Sequence, residues 1–178
     1  MELEIVKFLN RLGRGTAIDA LTKFVSDIFL LAGGWTVLTI LIFFFAENGR
    51  NAAATMTVAA GLHFLITEGF FKRILARYHY KKRPYAAHPE DIEVIGSEQL
   101  SSAFPSSHVS ANVAVLLVVS YFFPTLWPLA FAFGLIVAFA RLHNGMHYPS
   151  DVVAGTVLGV AYGFGAIYLV KNYLHVLS

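Results

Sequence analysis

Long apolar runs alternate with short polar turns from residue 28 onward. The runs cover about 28–46, 51–71, 104–123, 129–140 and 151–170. A helix needs roughly 20 apolar residues to cross a bilayer, and most of these runs approach that length. The pattern therefore predicts five membrane-spanning helices, of which the first two form a hairpin closed by the polar turn at residues 47–50.

Two shorter amphipathic stretches precede these runs, in residues 2–12 and 17–25. Their apolar positions recur at helical spacing, with charged residues between them. They predict an amphipathic N-terminal segment, residues 1–27, at the membrane surface. The alternative is a packed first helix of the bundle, which would give six spans if it inserted. The scattered charges do not match a cleavable signal peptide.

Composition supports this interpretation. Of the 178 residues, 57% are hydrophobic and 13% charged, whereas about a quarter of a soluble domain is charged. We therefore predict an all-α integral membrane helical bundle of five to six spans, forming a single domain over residues 1–178. The absence of cysteine excludes disulfides and thiolate metal sites. We expect membrane lipids and no nucleic acid as partners, and the oligomeric state stays open.

The last run carries glycine at every fourth position, at Gly155, Gly159 and Gly163. Small residues at this spacing allow the backbones of two helices to approach closely. The pattern predicts helix packing and has no bearing on chemistry.

The one long polar loop covers residues 72–106. It begins with six basic residues: Lys72, Arg73, Arg77, Lys81, Lys82 and Arg83. Such a cluster attracts anionic lipid head groups, but it can equally form the wall of a phosphate site. Proline fixes the backbone beside Arg83, which favours the second interpretation. Glu68 lies four residues before Lys72, so we predict a helix-end ion pair between them.

Three residues whose side chains could take part in a reaction follow the fourth run, namely Arg141, His147 and Asp151. Arginine offers a forked donor for an oxyanion, and histidine can attack or carry protons near neutral pH. Aspartate could orient that imidazole. The alternative is a charged loop between two helices, with Asp151 capping the second helix.

The third run opens with Phe104-Pro-Ser-Ser-His-Val-Ser, which has the form of a helix start. If Ser106 is the N-cap, the free amides of Ser107 and His108 point at whatever lies in front of the helix. The helix dipole favours an anion there. His63, His79, His88 and His175 lie outside these motifs, and we predict surface or interfacial positions for them.

Parity connects these segments, because loops two spans apart lie on the same face of the membrane. The polar loop and the loop between the last two runs can therefore bring together a common set of side chains. These are Arg83, His108, Arg141, His147 and Asp151.

The motifs resemble those of the type 2 phosphatidic acid phosphatase superfamily, membrane lipid phosphatases that share their site with vanadium haloperoxidases. Arg141, His147 and Asp151 match its Arg-x5-His-x3-Asp motif, although Ala140 replaces the usual preceding serine. Residues 105–108, Pro-Ser-Ser-His, are similar to its Pro-Ser-Gly-His motif.

The family's Lys-x6-Arg-Pro motif is only partly kept, since Arg83-Pro84 is present and Ala76 stands at the lysine position. On a helix that continues from the second run, Arg77 lies nearest the loop. We predict that Arg77 supplies the missing phosphate-binding cation, with Lys72 as the alternative.

The resemblance implies a metal-independent lipid phosphatase with no cofactor. His147 would attack phosphorus to form a phosphohistidine, Asp151 would hold its other ring nitrogen, and His108 would protonate the leaving group. The phosphate oxygens would be held by Arg83, Arg141, Ser106 and Ser107. Positioning and charge stabilisation account for most catalysis of phosphoryl transfer.

Two other classes of function stay open. His143, His147 and Asp151 are spaced four apart and would form a metal-ligand stripe on one continuous helix, but Asn144-Gly145 and Pro149 disfavour that helix. A membrane transporter or scaffold could instead line a pathway with these polar residues.

The lipid phosphate substrate implied by the family could be a polyprenyl diphosphate, phosphatidylglycerol phosphate, phosphatidic acid or lipid A phosphate. With five spans, the N-terminus and the site share a face that holds eleven of the thirteen Lys and Arg residues. The positive-inside rule would make that face cytoplasmic. Bacterial members of the family mostly act on the outer face of the inner membrane, and we expect that orientation here.

Overall fold

The computed structural model describes residues 1–174, which form helices joined by loops and turns. The helices are α1 (Glu2–Arg11), α2 (Ala17–Val25), α3 (Ile28–Phe45), α4 (Gly49–His63), α5 (Pro84–Ala87), α6 (Ser107–Phe122), α7 (Trp127–His143) and α8 (Pro149–Leu169). α4 continues through π-helical turns at Phe64–Ile74 and a 3-10 turn at Leu75–Arg77, and α8 continues through π-helical turns at Val170–Leu174. The predicted position of His175 lies outside the described residues.

Four helical stretches within residues 1–174 are long and apolar enough to cross a membrane: Ile28–Phe45, Gly49–Arg77, Pro124–His143 and Pro149–Leu174. α6 is also apolar but has 16 residues. Large apolar side chains such as Phe44, Leu129 and Phe164 are exposed on the outside of the bundle, where a bilayer would cover them. The all-α membrane bundle is confirmed, and the count of five to six spans stays a prediction.

α6 lies at the centre of the bundle and packs against α8 through the glycine series. A β-carbon at Gly155 would lie 2.7 Å from the Ser106 carbonyl oxygen, and one at Gly159 would lie 2.7 Å from that of Ser110. Such distances leave room for hydrogen only. The predicted packing role of the glycines is confirmed. It also fixes the start of α6, where the chemistry-bearing residues begin, against the first turns of α8.

We expect Gly159→Ala to lower the stability of the bundle. The new methyl group would also meet Val113 Cβ at 2.7 Å, and overpacking of this kind costs about 1–3 kcal/mol. Gly61→Ala is the matched control, because nothing lies within 4 Å of its β-carbon position and alanine favours a helix. Thermal unfolding in detergent should show a lower Tm for the first variant only. Equal Tm values would contradict the close approach.

The N-terminal segment forms two amphipathic helices, as predicted, with 10 and 9 residues. Neither is long enough to span a bilayer alone. α1 packs on α7 and α8 through Val6 and Asn10, and α2 packs on α7 with Thr22 buried, while Phe8 and Phe24 stay exposed. The segment is therefore packed against the bundle and still exposes apolar side chains, while its position at the membrane surface stays a prediction.

Candidate active site

Three segments of the chain meet at one end of the bundle: the loop before α5, the start of α6 and the loop between α7 and α8. Arg83 and His147, from the first and the third, are 3% and 1% exposed. Nη1 of Arg83 lies 3.1 Å from Nε2 of His147, and it also donates to the Met146 carbonyl oxygen at 3.1 Å. The Arg83 guanidinium is therefore anchored beside the imidazole.

The partners of His147 fix its tautomer. Nδ1 lies 2.8 Å from the carbonyl oxygen of Ala103, which can only accept a hydrogen bond. Arginine can only donate, so Nε2 accepts from Arg83. The hydrogen is on Nδ1 and the lone pair is on Nε2. An anion held by the Arg83 guanidinium would thus lie next to a nucleophilic nitrogen.

Electrostatics favour the neutral form of His147. Burial, followed by the positive charges of Arg141, Arg83 and Lys72, lowers the pKa of His147 well below its usual range. A neutral imidazole is the form that can attack phosphorus. The cations that bind an anion therefore also keep the nucleophile unprotonated.

Asp151 does not hold the His147 ring in the predicted way. Its Oδ2 is 4.0 Å from Nδ1 of His147 and instead accepts from the Tyr148 amide at 2.8 Å. Its Oδ1 lies 2.7 Å from Nζ of Lys81. In a capping box, the acidic residue at the third position of a helix accepts from the amide of the residue that precedes the helix, here Tyr148. Asp151 thus caps α8, as the alternative interpretation stated, and the Ala103 carbonyl orients the imidazole.

Three buried polar atoms near the start of α6 and the end of α7 have no partner within the described residues, and one of them, Oδ1 of Asn144, is an acceptor while the other two can donate. These two are Oγ of Ser106 and Nε of Arg141. Ser106 is the predicted N-cap of α6, yet its side chain makes no capping hydrogen bond. The first amides of that helix also lack acceptors within the helix. Unpaired buried donors are costly, and an anion would satisfy them.

His108 follows Ser107 in the first turn of α6 and is 6% exposed. Its Nε2 lies 3.0 Å from the carbonyl oxygen of Ser26, at the end of α2. Ser107, His108, Arg83 and His147 all line one cavity. These four predicted residues therefore face a shared space, whereas Ser106, Arg141 and Asp151 do not line it.

Arg77 is not placed at the site. Its side chain is exposed and has no hydrogen-bond or ion-pair partner in residues 1–174. Lys72 is the cation that points inward, where Nζ donates to the carbonyl oxygen of Ser102. The π-helical turns after His63 hold more residues per turn than an α-helix, so the expected face is shifted. The predicted ion pair between Glu68 and Lys72 is also absent from the described part of the chain.

The alternative metal-ligand series does not form a cluster. His143 faces the N-terminal segment, with Nε2 2.9 Å from Oδ1 of Asp19, whereas His147 faces Arg83. Within residues 1–174 no three His, Cys, Asp or Glu side chains are grouped to hold a metal ion. The break in the helix at residues 144–148 separates them, since α7 ends at His143 and α8 begins at Pro149.

A cavity of about 640 Å³ extends from the site along α3, α4 and α6. At the site it is bordered by charged residues, and deeper it is lined mainly by apolar residues such as Leu31, Trp35 and Val115. His63, predicted at the surface, is buried in this wall with Nδ1 3.1 Å from Oγ of Ser110. The cavity fits a molecule with an anionic head and an apolar tail.

Three groups that contact site residues were not predicted from the sequence: the carbonyl groups of Ala103 and Ser26, and the Lys81 side chain. Every residue has a carbonyl group, so no residue type marks the first two. Lys81 was visible within the basic cluster, but only its contact with Asp151 singles it out.

Comparisons with known proteins identify the family of the chain. The family model of the PAP2 superfamily matches residues 56–174. The undecaprenyl-diphosphatase BcrC of Bacillus subtilis is 27% identical over 169 residues, covering 92% of this chain and 81% of that protein.

Two solved structures share the fold. Aquifex aeolicus LpxE aligns with a TM-score of 0.75 at 20% identity, covering 93% of this chain and 94% of that one. The PAP2-type phosphatidylglycerolphosphate phosphatase of Bacillus subtilis aligns with a TM-score of 0.70 at 20% identity, over 99% and 86%. Residues 1–55 precede the region that the family model matches. Because that region covers more than half of the sequence, the chain belongs to the PAP2 superfamily.

Proposed function

We propose that this protein removes the terminal phosphate of a lipid diphosphate through a phosphohistidine at His147. As a PAP2 member it is a membrane lipid phosphatase. Polyprenyl diphosphate is the first candidate substrate, because the Bacillus subtilis relative named an undecaprenyl-diphosphatase aligns with most of the chain. The observation that carries the mechanism is the contact between the Arg83 guanidinium and the lone pair of His147 Nε2.

The reaction begins when Nε2 of His147 attacks the terminal phosphorus. The bond from phosphorus to the bridging oxygen breaks, and His108 gives its proton to the departing lipid phosphate. Water then attacks the phosphorus of the phosphohistidine while His108 accepts a proton from it, the bond between phosphorus and Nε2 breaks, and inorganic phosphate leaves with the lone pair returned to His147. No redox partner is needed.

Charge stabilisation comes from donors already fixed around the phosphate. Arg83 and Arg141 are both nearly fully buried, and their interactions are stronger there than in water. Oγ of Ser106 and Nε of Arg141 gain the acceptor that they otherwise lack. Lys72 takes the place of the first-motif lysine, in preference to Arg77. The apolar part of the cavity accommodates the first segment of the lipid chain.

The test is phosphate release from a panel of lipids by purified protein in detergent. The panel contains polyprenyl diphosphate, phosphatidylglycerol phosphate, phosphatidic acid and lipid A phosphate. We expect the highest kcat/KM for polyprenyl diphosphate, full activity with a chelator, and inhibition by vanadate, which copies the five-coordinate phosphoryl group. Chelator-sensitive activity restored by one divalent ion would support a metal hydrolase instead, and no release from any lipid would support a transporter or scaffold.

The pH dependence of phosphoenzyme formation should reflect the environment of His147. The neutral imidazole is the reactive form, and burial lowers its pKa. Protonation therefore occurs only at lower pH than for a free histidine, whose pKa is about 6.5. We expect the limb on which the rate falls with decreasing pH to lie below that value, because the ring of His147 becomes protonated only there. An acidic limb at or above about 6.5 would contradict this assignment.

In this proposal the site faces the outer side of the bacterial cytoplasmic membrane, as the sites of most bacterial members of the family do. The excess of positive charge on the site face is weak counter-evidence, because Arg83 and Arg141 are buried in the site and Lys7 and Arg14 pair with Asp91 and Glu93. Charges held for chemistry or by carboxylates say less about topology.

Cysteine labelling tests this orientation, since the chain has no cysteine of its own. Ser97 is exposed in the polar loop, and Glu47 is exposed at the opposite end of the α3–α4 hairpin. We expect an impermeant maleimide to label Ser97→Cys in intact spheroplasts and to leave Glu47→Cys unlabelled. The reverse result would place the site in the cytoplasm.

A further inference from the structure

His108 has one ring nitrogen committed to the N-terminal segment. Its Nε2 lies 3.0 Å from the Ser26 carbonyl oxygen, and a carbonyl can only accept. Nε2 therefore keeps its hydrogen in both the neutral and the protonated ring. The proton that His108 gives to a leaving group must then come from Nδ1, and the Ser26 contact sets the direction in which Nδ1 points.

Ser26 is held in place by the loop that carries the nucleophile. Nδ2 of Asn144 donates to Oγ of Ser26 at 3.1 Å and to the Thr22 carbonyl oxygen at 3.2 Å. Asn144 is 1% exposed. The end of α2 is thus joined to the segment between Arg141 and His147 by buried hydrogen bonds.

A second buried contact fixes α2 closer to its start. His143 is completely buried, with Nδ1 2.7 Å from the Leu9 carbonyl oxygen and Nε2 2.9 Å from Oδ1 of Asp19. The hydrogen bond from the Gly15 amide lowers the pKa of Asp19, so its carboxylate is ionised. Both ring nitrogens of His143 therefore face oxygen acceptors, and the ring joins α1 and α2 to the end of α7. Removing the Asp19 side chain would leave one buried ring nitrogen without its hydrogen-bond partner.

Taking the proposed general-acid role of His108 as its starting point, we infer that residues 17–26 position His108 for proton transfer. The Ser26 carbonyl orients the ring, and the Asp19–His143 pair holds α2 where that carbonyl must lie. Asp19 is a positioning residue that acts through α2. This role belongs to a segment that precedes the region shared with the family model.

Two substrates with different leaving groups distinguish a misplaced proton donor from a general loss of structure. An alkoxide needs protonation as it departs, whereas nitrophenolate departs without it. The measurement is kcat/KM for an alkyl phosphate and a nitrophenyl phosphate of similar size, and the readout is the ratio of the two. We expect Asp19→Ala to lower the alkyl-to-nitrophenyl ratio roughly tenfold or more, a part of the about 10² to 10⁴ that a general acid supplies. Asp19→Asn, which keeps an acceptor, should lower it less.

Asp91→Ala is the matched control. Asp91 pairs with Lys7 at 2.8 Å and so also ties the N-terminal segment to the polar loop, but through α1. Its ratio should equal that of the unaltered protein. An unchanged ratio for both Asp19 variants, or equal ratios for Asp19→Ala and Asp91→Ala, would overturn the inference.

His108→Ala separates this inference from the proposed function. It should lower the same ratio by more than any Asp19 variant. If His108→Ala leaves the ratio unchanged, the proposed role of His108 fails. If His108→Ala lowers it and the Asp19 variants do not, only the role of the N-terminal segment fails. Should Asp19→Ala fail to fold, Asp19→Asn decides by the same ratio.

Discussion

Replacing His147 with alanine is expected to abolish turnover, with a loss on the order of 10⁶ in kcat, as for removal of a covalent nucleophile elsewhere. The reason is specific to Nε2, whose lone pair faces the Arg83 guanidinium. No phosphoenzyme should form either. Phosphate release and trapping of labelled phosphoprotein after an alkaline quench, which preserves phosphohistidine, provide the two measurements.

His79→Ala is the control for this variant. His79 is exposed and its ring has no partner among residues 1–174, so activity and labelling should be unchanged. Substantial turnover by His147→Ala would exclude His147 as the nucleophile. Lost turnover with retained labelling would move the covalent site to another residue.

Arg83→Lys is expected to lower kcat by about 10² to 10³, the usual loss when a donor to the transition state is removed. The guanidinium contacts several groups at once, because Nε and Nη2 donate to Ser101 while Nη1 donates to Met146 and His147. A lysine has one nitrogen and cannot hold Ser101, the loop and a phosphate together. The measurement is kcat and KM with the best lipid from the panel.

Arg77→Ala and Lys72→Ala complete this experiment. Arg77 is exposed and outside the site, so its loss should change kcat little. Lys72 donates to Ser102 beside Arg83, so its loss should lower kcat by an intermediate amount. Small and equal effects for Arg83, Lys72 and Arg77 variants, all reduced by salt, would show that the cluster only attracts anionic lipid.

Residue pattern predicts the helices well, because membrane helices must satisfy every backbone group internally and carry long apolar runs. The motif around His147 is equally readable, since its residue types and spacing are unusual in an apolar sequence. The predicted direction of the Arg77 side chain was wrong because the prediction assumed a continuous α-helix. The π-helical turns at Phe64–Ile74 change the direction of every later side chain.

Contacts between distant segments are the part that sequence could not predict. Asn10 bonds to the backbone of Glu93 and His143, 83 and 133 residues away. No periodicity records such pairs, and a polar residue on an amphipathic helix is usually assigned to its solvated face. Asp151 shows a related limit, because a carboxylate in the first turn of a helix suits both a cap and a catalytic partner.

The unpaired Oγ of Ser106 and Nε of Arg141 lower the stability of the protein without a bound anion, although both atoms serve the proposed reaction. Each buried donor without an acceptor costs about 1–3 kcal/mol, and a bound anion returns that stability by mass action. Phosphate or vanadate should therefore act as a stabilising additive during purification and raise the Tm, whereas chloride of equal ionic strength should not. Ser106→Ala should have a higher Tm without phosphate and a smaller rise in Tm when phosphate is added. Both changes would arise from the loss of one hydroxyl group.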